Sequence, residues 1–381
     1  MKILFREWCI GNSTFDIMTP DPNYSKALNR RQVLKFCPDQ AIPVFSRLFA
    51  LDSTPESPLK SYSGCQNIIY PCFRKSKPHF LRISFRPDRT PEIIASETAF
   101  VHFLAEGGAA VARPIASEEG NFVETFVVKD VPLTAVLFTE APGDFLYRRK
   151  FQLPKGTELR DFFIRQGELT GRFHALSEQY PAERVRRFDW LTRHRDSLEW
   201  VLPTTHADIK ARLLEIIDRI AGLPRTGRNF GICHNDINIG NFTIDYELPG
   251  CSITLFDFDD CGWNYFMYDV ACIWECNTGW TFHIDSSQGR RDAMERITGR
   301  LLEGYTRYRS LPDSEIALLP LFLKACHIEN ILEGYRELHK LGRRIEPDAA
   351  IRYHEACLSR DLEYMALFDE LFDPAHPFEM R

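Results

Sequence analysis

Apolar residues follow two periodicities along this chain, and the change from one to the other divides it. Between residues 61 and 138 they form short runs that favour β-strands. These runs are Ile68–Tyr70, Phe80–Ile83, Phe122–Val128 and Thr134–Phe138. From residue 144 onward apolar residues recur mainly at helical spacing. The later pattern predicts helices over 159–176, over 207–222 and beyond 290, with strand-like runs at Phe242–Tyr246 and Ile253–Phe258.

Prolines and glycines mark where further elements begin and end. Residues 24–51 favour a helical stretch that Pro38 and Pro43 interrupt, and residues 52–58 favour a loop. A helix over 91–106 is predicted by its apolar face, by the proline in its first turn and by the two glycines after its end.

These patterns predict an α+β protein in four segments. We expect a partly helical N-terminal extension at 1–60 and a small strand-rich lobe with one helix at 61–138. A connection at 139–143 then leads to a larger, mainly helical lobe at 144–381. A two-lobed protein has a cleft between its lobes, and ligands bind preferentially in such clefts.

Composition and charge narrow the class of protein. The 381 residues are 44% hydrophobic and 26% charged, which excludes a disordered or collagen-like chain. The net charge of −6, without a basic stripe, argues against a nucleic-acid partner. No apolar stretch reaches the ~18 residues of a membrane span, and Glu7 interrupts the N-terminal apolar patch, so we expect a cytoplasmic protein without a membrane partner. The eleven cysteines are scattered, which predicts free thiols, and no feature indicates an oligomeric state.

A pattern with chemical meaning stands just before the strand-like run at Phe242. His234, Asp236 and Asn241 occur there in the order His-x-Asp-(x)4-Asn, and Asp257 follows at the end of the next apolar run. If that run returns beside the loop, the carboxylate comes close to the other three side chains. Phosphoryl transfer needs a carboxylate near the acceptor hydroxyl and oxygen ligands for Mg²⁺. Asp236 can take the hydroxyl proton, while Asn241 and Asp257 can hold the metal.

Three neighbouring motifs carry a family resemblance. They are the loop His-Asn-Asp-(x)4-Asn at 234–241, the run Phe256-Asp257-Phe258-Asp259, and Tyr268-Asp269-Val270-Ala271. Together they resemble the aminoglycoside phosphotransferase and choline kinase superfamily, the small-molecule kinase branch of the protein-kinase-like fold. The resemblance implies a small antiparallel-sheet N-lobe with one helix and a larger, mainly helical C-lobe. It also implies that Asp236 is the catalytic base, that Asn241 and Asp257 are Mg²⁺ ligands, that His234 braces the loop, and that Asp269 is a structural brace.

The resemblance extends to the segments that would bind ATP. It implies that the phosphates lie near the loop at 62–67, with Ser63 and Asn67 in contact with them. It also implies that adenine is bound by backbone groups at Thr139 and Ala141.

Position 82 departs from the family pattern. Arg82 stands where the superfamily has a phosphate-binding lysine, and Glu97 is its implied partner on the following helix. Arginine keeps its charge and its forked geometry suits phosphate, so we expect it to bind phosphate here, although it does not reproduce the geometry of lysine. Lys75 and Lys77 are alternatives in an adjacent turn.

The function predicted from these residues is phosphorylation of a small-molecule hydroxyl by ATP and Mg²⁺. An amine-bearing metabolite or an aminoglycoside-like compound is the expected acceptor, with Asp260, Glu275 and Glu329 as candidate partners of its charge. Asp259 and Asp260 are either additional metal or substrate contacts or solvated turn carboxylates. The alternatives are a Ser/Thr protein kinase of the bacterial stress-response type and a nucleotide-binding pseudokinase scaffold.

Overall fold

A computed structural model describes residues 30–59, 67–202, 207–248, 250–340, 347, 349–368, 372–373 and 376–380. Within these ranges the chain forms two compact units. The N-terminal unit contains residues 30–141 and also the later segment 180–187, and the C-terminal unit contains 142–179 together with the residues from 188 onward. Ser63 lies outside the described residues.

The N-terminal unit is built on an antiparallel sheet with one long helix. The strands are β1 (Asn67–Arg74), β2 (Lys77–Ser84), β3 (Pro114–Ile115), β4 (Glu124–Val128) and β5 (Val131–Thr139). They pair in the order β1-β2-β5-β3, and β4 also pairs with β5. The sequence-based strands are confirmed, although β4 begins at Glu124 rather than at Phe122. Helix α3 (Pro91–Glu106) has the predicted bounds, and Thr90 caps its first turn by accepting a hydrogen bond from Ile93 N.

Two short helices precede the sheet and share its core. Helix α1 spans Arg30–Leu34 and helix α2 spans Ile42–Leu48, with one π-helical turn at Cys37–Ala41 between them. Pro38 lies in the first turn of the π-helical segment and Pro43 in the first turn of α2, where a missing N–H costs no hydrogen bond. Buried side chains of this stretch pack with those of β1, β2 and β5 in one cluster that includes Phe45, Phe49, Ile68, Leu81 and Leu137. The helical prediction is confirmed from residue 30, and residues 24–29 lie outside the described ranges.

The C-terminal unit is mainly helical, as predicted. Its helices are α4 (Leu159–Ser177), α5 (Trp190–Val201), α6 (Ala207–Ala221), α7 (Phe266–Asn277), α8 (Ser287–Tyr305), α9 (Asp313–Ile316), α10 (Leu319–Lys340) and α11 (Ala349–Ser359). Its strands form antiparallel pairs, β6 (Phe230–Cys233) with β9 (Gly262–Tyr265), β7 (Phe242–Asp245) with β8 (Ser252–Leu255), and β10 (Phe372–Asp373) with β11 (His376–Met380).

One strand prediction was wrong at its end. The apolar run Ile253–Phe258 predicted a strand that carries Asp257, but β8 ends at Leu255. Asp257 then has φ 64° and ψ 62°, in the left-handed region, and Phe258–Asp260 form a 3₁₀ turn. The chain therefore leaves the extended conformation before it reaches the carboxylate.

Nine cysteines lie in the described residues, and each is a free thiol, as predicted. Within the same ranges, no helix combines the length and the apolar character that are needed to cross a bilayer.

Helices α4 and α8 approach so closely that glycine is required at their contact. A Cβ atom on Gly304 would lie well inside van der Waals contact with the carbonyl oxygen of Ile164, and one on Gly167 would clash with the carbonyl of Leu301. Backbone atoms cannot rotate away as a side chain can, so an added methyl group has to separate the two helices.

We expect Gly304→Ala to lower the free energy of unfolding by about 1–3 kcal/mol or more, because overpacking displaces a helix. Gly299→Ala is the matched control on the same helix, since its Cβ would meet no atom within 4 Å. That control should be stabilised by about 0.5–1 kcal/mol, as alanine restricts the unfolded chain. Urea unfolding of both variants measures the difference, and equal midpoints would contradict the close approach of the helices.

Candidate active site

The loop between β6 and β7, residues 234–241, is fixed at its start by a buried carboxylate. The backbone amides of His234 and Asn235 each donate to Asp269, on helix α7, at 2.8 Å. Asp269 is fully buried. Asn235 has φ 65°, a left-handed conformation that asparagine adopts more readily than most residues. The start of the turn that leads to Asp236 is therefore fixed by Asp269.

Asp269 is itself held by a chain of buried polar groups. Burial lowers the pKa of His174, so its ring is neutral; Nε2 donates to Asp269 at 3.0 Å and Nδ1 accepts from the Tyr305 hydroxyl at 2.9 Å. Arg309 in turn donates to the Tyr305 oxygen at 2.9 Å. The prediction of a structural role for Asp269 agrees with this network.

His174, Cys233 and Asp269 are close enough to one another to resemble a metal site, with ligand atoms within 4.8 Å. Their hydrogen bonding argues against that role. Burial raises the pKa of the Cys233 thiol well above its usual value, so the thiolate that binds metals is disfavoured. The Asp269 oxygens already accept three N–H groups.

The side chain of His234 joins the loop to the segment that carries Asp257. Its Nε2 donates to the Phe256 carbonyl at 3.0 Å, and its Nδ1 accepts from the Asp236 amide at 3.3 Å. The Phe256 amide donates to the Asn241 carbonyl at 2.9 Å. Phe256 is thus held at both of its backbone polar groups, and Asp257 follows it directly. The β7–β8 ladder ends here because the Phe256 carbonyl accepts from His234 while the Asn241 amide donates to the Asn238 carbonyl.

Two amides hold the carboxylate of Asp236. Asn241 donates one Nδ2 hydrogen to Asp236 Oδ2 at 2.7 Å and the other to its main-chain oxygen at 2.8 Å. Asn238 donates to Oδ1 at 2.7 Å, and its own side-chain oxygen accepts from the Gly240 amide at 2.7 Å. Because both amide hydrogens of Asn241 point to Asp236, its Oδ1 is the atom that faces away and can act as a ligand.

Asp236 is accessible to solvent although protein surrounds it on most sides. These surroundings raise its pKa well above the usual value, and the negative charges of Asp260 and Asp257 add to this effect. The hydrogen bonds from Asn238 and Asn241 oppose it, because they stabilise the ionised form. The chain thus brings three carboxylates together, an arrangement that favours a bound cation.

The three aspartates that follow Phe256 have different environments. Asp257 is exposed, whereas Asp259 is buried. The carboxylate of Asp260 accepts from Arg193 at 2.9 Å, and its main-chain oxygen accepts from Asn235 Nδ2 at 3.0 Å. Asp260 therefore already has a protein cation as its partner.

The N-terminal unit contains the ion pair implied at position 82. Arg82 Nη1 lies 2.6 Å from Glu97 Oε1, and both side chains are buried. The guanidinium of Arg82 also lies over the Phe138 ring, 5.1 Å from its centre. Lys75 and Lys77 are exposed at the turn between β1 and β2.

Three residues implied in nucleotide binding lie on or beside this sheet. Asn67 begins β1, and its side-chain oxygen accepts from the Ser84 hydroxyl at 2.6 Å. Thr139 ends β5, and its amide donates to the Arg113 carbonyl at 2.9 Å, so this N–H is engaged within the sheet. The roles of Asn67, Thr139 and Ala141 toward ATP stay predictions.

Comparison with known proteins decides the family. A family model described as the phosphotransferase enzyme family matches residues 73–311. The chain belongs to this family. The predicted superfamily, the protein-kinase-like fold and the class of enzyme, a phosphotransferase, are thereby confirmed.

Individual relatives of this phosphotransferase are distant. Amicoumacin kinase of Bacillus subtilis (strain 168) is 24% identical over 290 residues, which cover 74% of the chain and 81% of the relative. Among solved structures, an amicoumacin kinase in complex with AMP-PNP, Ca²⁺ and Ami has a TM-score of 0.73 at 21% identity, covering 88% and 95% of the two chains. A microcompartment-associated aminopropanol kinase has a TM-score of 0.58 at 20% identity, covering 84% and 93%. These likenesses establish the fold.

Two acidic residues of the phosphotransferase that sequence alone treated alike differ in their partners. Glu329 forms a hydrogen bond with His194 and an ion pair with Arg336 at 3.6 Å; burial opposes its charge, but these partners lower its pKa to about 2. Glu275 accepts hydrogen bonds from Asn330, at 2.7 Å, and from the Tyr364 hydroxyl. Both of these donors are neutral.

Glu275 directly precedes the residue of α7 that contacts the 234–241 loop. The thiol of Cys276, the next residue, forms a hydrogen bond with the Ile239 backbone. Burial raises the pKa of this thiol, and the charges of Glu275 and Asp236 add to that effect. Burial raises the pKa of Glu275 itself. A cation bound beside it would offset that effect by stabilising the carboxylate.

Sequence reasoning missed Asn238 and Arg193. Asn238 stands at an unassigned position of the His-x-Asp-(x)4-Asn pattern, and its role becomes visible only through its bond to Asp236. Arg193 lies far from Asp260 along the chain, so no local pattern could connect them. A polar residue two positions after the predicted base was the one available signal for Asn238.

Proposed function

We propose that this protein transfers a phosphoryl group from ATP to the hydroxyl of a small molecule, with Asp236 as the base. The observation that carries the proposal is the setting of Asp236. Its carboxylate is accessible, is oriented by two amides, and stands beside Asn241 and Asp257 on a loop held by a buried network. Positioning and charge neutralisation of this kind supply most of the catalysis in phosphoryl transfer.

The proposed reaction is a direct displacement of ADP from the terminal phosphorus of ATP. The acceptor hydroxyl donates a hydrogen bond to Asp236, and its oxygen attacks the terminal phosphorus of ATP. As the new P–O bond forms, the bond to the bridging oxygen breaks, ADP leaves, and the hydroxyl proton passes to the Asp236 carboxylate. Asn238 and Asn241 keep that carboxylate from rotating during the transfer.

A divalent cation fits the oxygen donors of this loop and of Asp257, which follows β8. Asn241 presents an amide oxygen because both of its hydrogens are used, and Asp257 adds an exposed carboxylate. Such hard oxygen donors suit Mg²⁺, which we propose as the metal. When bound, Mg²⁺ would neutralise charge on the phosphates. The relative solved with AMP-PNP and Ca²⁺ supports the use of a nucleotide and a divalent cation.

Arg82 is the proposed partner of the nucleotide phosphates. Its pairing with Glu97 fixes the guanidinium, and charge-assisted bonds from a fixed guanidinium to phosphate are strong. Ser63, Asn67, Thr139 and Ala141 complete the proposed nucleotide contacts, with the Thr139 amide excluded as a donor to adenine by its bond to Arg113.

An amine-bearing acceptor is proposed from the environment of Glu275. Asp260 and Glu329 are each already paired with an arginine, whereas the donors to Glu275 are neutral. Glu275 is therefore the carboxylate best able to accept a substrate ammonium group. The relative named as an aminopropanol kinase supports this class of acceptor.

A protein substrate is not favoured. A protein kinase has a long peptide-binding segment after its metal motif. Here the 3₁₀ turn at Phe258–Asp260 leads directly into β9 and then into α7 at Phe266. The acceptor is accordingly proposed to be a small molecule.

Release of ADP from ATP and Mg²⁺ tests the proposed function. The wild-type protein would be assayed with amino alcohols, hydroxy amino acids, sugars and aminoglycosides, with Asp236→Asn as the inactive control. Acceptor-dependent ADP release that the variant loses is the expected result. If the protein binds ATP but none of these acceptors increases ADP release, the assignment of a small-molecule acceptor is overturned.

Glu275→Gln tests the class of acceptor. The glutamine oxygen can still accept from Asn330 and Tyr364, so the fold should be kept, but the charge is lost. We expect KM for an amine acceptor to rise by about 10- to 100-fold, the usual value of one charge-assisted hydrogen bond. KM for ATP should not change. The exposed Glu295→Gln on α8 is the control, and an unaltered acceptor KM in Glu275→Gln would contradict the assignment.

A further inference from the structure

Glu97 has a second arginine beside it. Arg187 Nη1 lies 3.9 Å from Glu97 Oε2, on the carboxylate oxygen opposite the one that binds Arg82. The Arg187 side chain is 1% exposed, as is that of Glu97. One buried carboxylate thus lies between two guanidinium groups, one from β2 and one that stands 105 residues later along the chain.

The segment that carries Arg187 is fastened along helix α3. At its start the Tyr180 ring packs against Phe100 and Phe103, with ring centres 5.0 and 5.1 Å apart. Further on, the Ser96 hydroxyl donates to the Arg184 carbonyl at 3.2 Å and accepts from the Arg186 amide at 2.8 Å. Glu97 follows Ser96 on the helix, and its contact with Arg187 is the third place at which the segment is attached to α3, after Tyr180 and Ser96.

We propose that Arg187 is a positioning residue for nucleotide binding, an inference that rests on the proposed function. A carboxylate held at one oxygen can still rotate about its terminal torsion, which is soft. Arg187 at Oε2 removes this freedom, so Oε1 stays directed at Arg82 and the Arg82 guanidinium keeps a single orientation. Arg187 therefore acts on the phosphates through Glu97 and Arg82.

The variants are chosen to separate positioning from folding. Arg187→Met keeps most of the length and apolar volume of the side chain but removes the guanidinium. Arg187→Lys keeps the charge and is expected to restore part of the function. Arg186→Met is the matched control, because this neighbour is exposed and contacts α3 through its backbone. Thermal unfolding of each variant identifies any loss of folded protein.

Calorimetric titration with ADP and Mg²⁺ is the first measurement, since it needs no acceptor. We expect Arg187→Met to weaken ADP binding on the order of tenfold, as a misdirected binding group does. Arg187→Lys should lie between Arg187→Met and the wild type, and Arg186→Met should match the wild type. In the turnover assay KM for ATP should rise more than kcat falls, and KM for the acceptor should not change.

A double variant supplies the decisive test. If Arg187 acts through Glu97, adding Arg187→Met to Glu97→Gln should cause little further loss of ADP affinity. The effects of two substitutions on binding are not additive when both residues act through the same contact. Full additivity, or wild-type ADP affinity in Arg187→Met, would overturn this inference alone. A wild-type protein that binds no ADP would overturn the proposed function as well.

Discussion

Asp236→Asn is expected to lower kcat by a factor of about 10² to 10⁴, the usual contribution of a positioned base. The asparagine side chain has the same shape but cannot take the acceptor proton. Because Asp236 acts in the transition state, KM for ATP and the affinity for ADP should stay close to those of the wild type. Initial rates of ADP formation at saturating substrates measure kcat, and calorimetry measures ADP binding.

The controls for Asp236→Asn follow from its two amide partners. The new Nδ2 group faces either Asn238 or Asn241, and Asn238 is the partner with room to turn, since it is the less buried of the two. Thermal unfolding should therefore show a folded protein. A kcat within about tenfold of the wild type would contradict the role of Asp236 as base.

Asp269→Asn is expected to have the largest effect on stability. The carboxylate accepts from the His234 amide, the Asn235 amide and His174 Nε2, all of which are buried. An asparagine amide would direct its own hydrogens at one or more of these donors. Breaking a buried charged network of this kind costs about 3–5 kcal/mol.

Urea unfolding measures this loss for Asp269→Asn, with Glu295→Gln, a change of an exposed carboxylate on α8, as the control. Activity of the remaining folded protein should also fall, because the amides of His234 and Asn235 set the start of the 234–241 loop. An unchanged unfolding midpoint would show that the network does not stabilise the fold.

Local patterns predicted most elements, because the apolar spacing that marks a helix or a strand is also what buries its face. The end of β8 shows the limit. Phe256 and Phe258 prolong the apolar run of the strand, yet the Phe256 carbonyl bonds to His234 and Asp257 takes a left-handed conformation. The contact with His234, 22 residues earlier in the chain, overrode the local preference.

The candidate site divides in the same way. Asp236 and Asn241 were predictable because their spacing along one loop carries the motif. Arg187 beside Glu97 and Arg193 beside Asp260 join distant parts of the chain, so only the folded structure reveals them. The difference between Glu275 and Glu329 likewise depends on which partners the helices bring to each carboxylate.

The segment 180–187 has a consequence for synthesis of the protein. Most of the N-terminal unit has been synthesised once the ribosome reaches residue 141. The segment 180–187, which packs on helix α3, is synthesised only after α4. At about 5–20 residues per second, a ribosome needs several seconds to produce that interval. During this time Phe100 and Phe103 of the nascent chain lack their contact with Tyr180. These exposed apolar side chains give a chaperone a surface to which it can bind.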